Sequence, residues 1–192
     1  MNDDEGRART REVARDVLIE AFGASATPFV PVPFVDAWML ARVLRRIARK
    51  VLARHGLSSP LIARSVVDGY VLEGAAPLVK SLAVGAVRFV ARKVAIVLDV
   101  KKSHDVFGES IAFALALDIG AENGWADEAG AAALGGAIER TLRVVGSGAL
   151  EGLMRAARGA WERGVVGEAI GVEVDKIRDQ LEPALRHEMT GR

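Results

Sequence analysis

The chain contains no cysteine, which excludes a disulfide framework, a thiolate nucleophile and every cysteine-ligated zinc or iron–sulfur site. Histidine is nearly as scarce. His55, His104 and His187 are the three present, and two of them fall at predicted helix ends, where a cation suits the helix dipole. A histidine-rich metal site is therefore not expected, and no metal or other cofactor is. Aromatic residues make up only 5%, so the 51% apolar content is carried mainly by Ala, Val and Leu. Long uninterrupted apolar runs are also missing. Residues 82–98 are broken by Arg88, Arg92 and Lys93, and 111–119 is about half the roughly 20 residues that a bilayer span needs. The start, Met1-Asn2-Asp3-Asp4-Glu5-Gly6-Arg7, is acidic and lacks the apolar segment of a secretory signal. These absences lead us to expect a soluble, cytoplasmic protein that can still touch a membrane surface.

The length of 192 residues suits one domain with a continuous core. Apolar residues recur at helical rather than strand spacing throughout. Thr10 is read as the N-cap of a first helix with the stripe Val13, Ala14, Val17, Leu18 and Ala21. The prolines at 28, 31 and 33 make the next segment extended. A long helix over 36–55 closes at Gly56, and Ser59-Pro60 opens a third that ends near Gly74. Pro77 is expected to open a fourth helix, and Ser103 or Asp105 to cap a fifth with its exit at Asn123-Gly124. Asp127 caps a sixth, interrupted at Gly146-Ser147-Gly148, then a helix through Trp161 and a last one over 168–187, kinked or broken at Pro183. The fold class expected is all-α, a single-domain helical bundle of about six to eight helices, with 1–9 a flexible lead and 10–192 the domain.

Twenty glycines in such a protein require a reason, since each one inside a helix costs about 1 kcal/mol relative to alanine. Gly85, Gly108, Gly135 and Gly159 all lie inside predicted helices. Close helix–helix contact is the simpler reason, and a helix surface shaped for a lipid or ligand is the alternative.

The formal net charge of +1 conceals a sharp segregation. Residues 37–67 contain no acid but carry Arg42, Arg45, Arg46, Arg49, Lys50, Arg54 and Arg64. Residues 103–139 contain no Lys or Arg but carry Asp105, Glu109, Asp118, Glu122, Asp127, Glu128 and Glu139. On a helical wheel the bases from Arg42 to Arg54 occupy about half the circumference, opposite Leu40, Leu44, Ile47, Ala48, Val51 and Leu52. Ahead of this cationic helix stand Phe29, Phe34 and Trp38 in a proline-stiffened apolar leader. Such a leader joined to a cationic helix suits an anionic membrane surface, where bases contribute about 1 kcal/mol each and the rings insert. The expected membrane or anionic-partner residues are Phe29, Phe34, Trp38, Arg42, Arg45, Arg46, Arg49, Lys50 and Arg54.

Pro31-Val32-Pro33-Phe34-Val35-Asp36, followed by an apolar helix ending at His55-Gly56, resembles the helical, membrane-associated domain that follows some Era-like GTPase domains in bacteria. There a Pro-hydrophobic-Pro entry and an acid lead into a long helix. The likeness covers about residues 28–56, and no GTPase domain accompanies it here. What it implies is a helical accessory module near a membrane, with no inherited catalytic residues.

Other readings of the same residues stay open. A cationic face is often simply solvated, and the leader can cover the core as a loop. The basic 37–67 and acidic 105–139 surfaces can pair within the chain, between copies, or with an acidic protein partner. Nucleic acid is disfavoured, because the basic helix has no Asn, Gln, Ser or Thr to read base edges. Gly74-Ala75-Ala76-Pro77-Leu78-Val79-Lys80-Ser81 is not a phosphate loop: Val79 replaces the second glycine and Pro77 lacks an amide. Asp99, Lys101, Lys102, Ser103, His104, Asp105 and Glu109 form the densest polar cluster. A metal set or a Ser–His pair there fails on helix geometry, because adjacent residues diverge by about 100°. A pocket near 99–109 that serves an enzyme or small-molecule carrier is the third reading, and a non-enzymatic module is preferred. Ile170, Val174, Ile177 and Leu181 form a short heptad-like stripe that suits docking on its own bundle, with dimerisation as the alternative.

Overall fold

The computed structural model describes residues 3–25, 35–81, 95–163 and 166–191. Six α-helices account for almost all of them: α1 (Asp3–Ser25), α2 (Val35–Arg54), α3 (Pro60–Ser81), α4 (Ala95–Glu122), α5 (Ala131–Arg163) and α6 (Val166–Thr190). No strand occurs among the described residues, so the chain is all-α.

Helix α4 is the centre of the bundle. Residues 110–121 are buried on every side, with Ile111, Phe113, Leu115 and Leu117 at 0% exposure. A helix that is apolar all round has no surface to give to water and is therefore enclosed by its neighbours. Val13, Val17 and Ala21 of α1 pack in the same core as Ile47, Val51 and Leu52 of α2. Val66 of α3, Leu134 and Ile138 of α5, and Val174, Ile177 and Leu181 of α6 complete that core. The heptad-like stripe of α6 thus docks on its own bundle, although Ile170 lies outside the residues whose side chains are described.

Small residues set the helix spacing. A Cβ placed on Gly135 of α5 would lie 2.0 Å from the Val66 carbonyl oxygen, and one on Gly69 of α3 would lie 2.2 Å from that of Ala132. Helices α3 and α5 therefore meet backbone to backbone, which is the close-contact explanation for Gly135. The side chains around Gly85 and Gly159 lie outside the described set, and Gly108 is buried.

Two helix ends match expectation in detail. Gly56 has φ 75°; its amide reaches the Ala53 oxygen at 3.1 Å, while the Leu57 amide reaches Leu52 at 3.0 Å. Gly124 has φ 76°, with Gly124 to Ala121 at 3.1 Å and Trp125 to Gly120 at 2.9 Å. Both are Schellman closures, in which a left-handed residue lets two amides satisfy orphan carbonyls. Asp127 accepts the Gly130 amide at 2.6 Å just ahead of α5.

Other boundaries differ. Helix α1 starts at Asp3 and takes in residues 3–9, so Thr10 is not an N-cap. Its hydroxyl instead donates to the Gly6 oxygen at 2.8 Å, and Arg178 of α6 donates to that same oxygen at 2.8 Å. Tertiary anchoring extends the helix beyond its local signal. Helix α3 continues through Gly74 and Pro77, and α4 passes Ser103 and Asp105 unbroken. Helix α5 runs through Gly146-Ser147-Gly148, where an interruption was expected, and α6 continues through Pro183 without a break. Each breaker costs about 1–3 kcal/mol, and at Pro183 the buried Leu181 and Leu185 on either side outweigh that cost.

Tyr70, the single tyrosine, stacks edge-on against Phe113 with centroids 5.1 Å apart. Burial, reinforced by the negative charges of Glu109 and Glu139, raises its phenol above the usual value, against the weaker opposing effect of Arg143. The folded state therefore holds this proton. Its contribution to stability is fully present below the unfolded value of about 10 and is lost as pH climbs through the raised one. An alkaline absorbance titration should show no phenolate step near pH 10 while the helical circular dichroism persists. A reversible step there in the folded protein would contradict this packing.

Candidate functional site

The cationic face of α2 resolves into a central strip and two flanks. On the wheel Arg46 and Arg49 lie within about 40° of Arg42, while Arg45 lies about 60° to one side and Lys50 and Arg54 about 80° and 120° to the other. The flanks reach neighbouring helices. Arg45 pairs with Asp68 of α3 at 2.8 Å. Lys50 meets Glu20 of α1 at 2.6 Å, and Arg54 meets Glu12 at 2.7 Å and also Asp16. Arg42, Arg46 and Arg49 remain exposed, and neither Arg46 nor Arg49 forms an ion pair with a described residue. Arg49 spends one N–H on the Arg45 carbonyl at 3.3 Å.

A helix with no acid beyond Asp36 thus draws its counter-charges from α1 and α3. The acidic 105–139 segment largely serves other partners. Glu122 meets Arg178 at 3.5 Å and Glu139 meets Arg143 at 2.5 Å. The segment reaches the end of α2 through Asp118, which His55 meets at 2.7 Å. Phe29 and Phe34 lie outside the described residues; Trp38 belongs to α2, and its side chain lies outside the described set. The same holds for the side chains of Asp99, Lys101, Lys102, Ser103, His104 and Asp105, although their backbone is helical.

A second polar centre was not visible in the sequence. Asp118 is fully buried in the apolar centre of α4. His55, held at the end of α2 by the Gly56 closure, brings Nε2 to 2.7 Å from Asp118 Oδ1. Arg9 of α1 places Nη2 3.0 Å from each His55 ring nitrogen, with its Nε 3.8 Å from Asp118 Oδ1. With Nε2 donating to the carboxylate, the remaining imidazole lone pair takes an Arg9 N–H. Both ring nitrogens are then occupied. The arrangement is a clamp joining α1, α2 and α4 rather than a poised general base. The one signal in the sequence was a lone acid inside an apolar helical run, since such a residue is seldom buried without a partner.

Beside the clamp opens a cleft of about 350 Å³. Arg9 lines it from within α1 and His55 from just past α2, Glu122 and Asp127 line it from the end of α4 and the turn that follows, and Leu57, Ala121 and Ala126 provide apolar surface. Two carboxylate oxygens in this region, Asp118 Oδ2 and Glu122 Oε1, are buried without a hydrogen-bond partner. Among the described residues no group of three or more His, Asp or Glu is placed to hold a metal ion, and no helix is long and apolar enough to cross a membrane. Compared with protein-family models, with curated proteins and with solved structures, the chain matches none.

Proposed function

We propose that this is a non-enzymatic helical module that associates peripherally with an anionic membrane surface through the outer strip of α2, assisted by the apolar leader around Phe29, Phe34 and Trp38. The observation that carries the reading is the division of labour on α2. Acids of α1 and α3 engage Arg45, Lys50 and Arg54, while the exposed Arg46 and Arg49 on the same face form no ion pair with a described residue. Arg46 and Arg49, which form no ion pair with a described residue, keep their Coulomb attraction for headgroups, about 1 kcal/mol per base. Ring insertion supplies the second signal that reversible anchoring needs. The resemblance of residues 28–56 to a membrane-associated domain implies the same setting, at the membrane of a cytoplasmic protein.

Co-sedimentation with vesicles tests this. The chain should be recovered with phosphatidylserine-containing vesicles and not with pure phosphatidylcholine, and added salt should release it. Arg46→Glu with Arg49→Glu should weaken recovery at least about tenfold without altering the helical signal, because neither guanidinium is part of an internal ion pair. Equal recovery on both vesicle types, or binding indifferent to the double reversal, would refute the reading. A soluble complex of two copies that is broken by the same reversal would point to self-association instead.

A further inference from the structure

We propose that the cleft between Arg9 and the α4–α5 turn binds a compact zwitterion of the free amino acid class, with its carboxylate on Arg9 and its ammonium on Glu122 and Asp127. The volume of about 350 Å³ lies at the small end of the range for ligand sites, about 300–1,000 Å³. Its walls carry both signs of charge, so a plain anion would face Glu122 and Asp127, and a plain cation would face Arg9.

The hydrogen bonding points the same way. Glu122 Oε1 is buried without a partner, and the other oxygen receives only Arg178 at 3.5 Å. A carboxylate in that state calls for a donor, and an ammonium brings three N–H groups with a compensating charge. Arg9 is in the converse state. Asp118 lies 3.8 Å from its Nε, beyond hydrogen-bond distance, and among the described residues its hydrogen bonds go to the His55 ring. The rest of its planar fork is available to a carboxylate, which it binds best in bidentate fashion. The His55–Asp118 contact fixes the imidazole on which Arg9 rests, so this half of the site is held in place before a ligand arrives. Leu57, Ala121 and Ala126 offer a short apolar surface that suits a few carbons between the two charged ends.

The test uses the full chain with L-alanine, β-alanine and 4-aminobutyrate, which differ in charge spacing, against propylamine and propionate. At least one zwitterion should raise the melting temperature by about 3–5 °C at ten times its Kd. It should also shift the amide resonances of residues 55–57 and 121–127, while both singly charged compounds bind at least tenfold more weakly. Arg9→Gln and Glu122→Gln should each reduce zwitterion affinity at least tenfold, and Glu128→Gln should leave it unchanged. Asp127→Asn keeps an oxygen for the Gly130 amide, and should still weaken binding if the other two variants fail to fold. No saturable shift with any zwitterion, or equal binding of propylamine or propionate, would overturn the proposal.

Discussion

Replacing Gly135 by alanine should cost about 3 kcal/mol or more, the upper end of the usual penalty for overpacking a core, and lower the melting temperature by about 10 °C. The new methyl carbon would sit 2.0 Å from the Val66 carbonyl oxygen and 2.8 Å from the Tyr70 amide nitrogen. Both obstacles are backbone, so no rotamer change relieves the clash; α3 and α5 must separate. Gly69→Ala should behave similarly, since its added carbon meets the Ala132 oxygen at 2.2 Å. Gly23→Ala is the control. Nothing lies within 4 Å of its added carbon, so removing a helix glycine there should be neutral or stabilise by up to about 1 kcal/mol. Chemical denaturation of the three variants separates packing from propensity. A Gly135→Ala protein as stable as the parent would mean that α3 and α5 do not touch through these backbones.

Asp118→Ala should destabilise by about 2 kcal/mol, or roughly 4–8 °C in melting temperature. The charge-assisted bond to His55 is lost, and a void opens inside the central helix. Two features keep the loss below the 3–5 kcal/mol typical of breaking a fully buried ion pair. Arg9 is 31% exposed along its side chain and can turn its charge to water. Asp118 Oδ2 is buried without a partner, so its removal also relieves a desolvation cost. Asp118→Asn should lose less, because an amide oxygen still accepts from Nε2. Changed imidazole resonances of His55 should accompany both. A neutral or stabilising Asp118→Ala would show that desolvation outweighs the clamp.

The helical character of this chain was legible because it rests on local periodicity. Val13, Ala14, Val17 and Ala21 lie one above another on a single face, and all four are buried. The Gly56 and Gly124 closures were equally legible, since a left-handed residue after an apolar stripe favours glycine on steric grounds alone. Breaker residues misled for the complementary reason. Pro77 and Gly146-Ser147-Gly148 carry local costs of about 1–3 kcal/mol, yet α3 and α5 pass through them. The start of α1 escaped notice because what holds it, Arg178, lies more than 160 residues away.

For the candidate sites the division is sharper. Wheel geometry determined that α2 has a cationic face opposite an apolar one, because side-chain direction follows from 3.6 residues per turn. Which of those cations are engaged by Glu12, Asp16, Glu20 and Asp68 depended on where these acids stand, and only the packing of α1 and α3 against α2 decided that. Arg9 in α1, His55 just past α2 and Asp118 in α4 share no spacing rule, so their meeting exists only in the assembled bundle. Sequence by itself specified the helices and the directions of their side chains, since these arise from interactions a few residues long. Charge pairing, the glycine contact and the cleft arise between helices, where the distance along the chain carries no information about the distance in space.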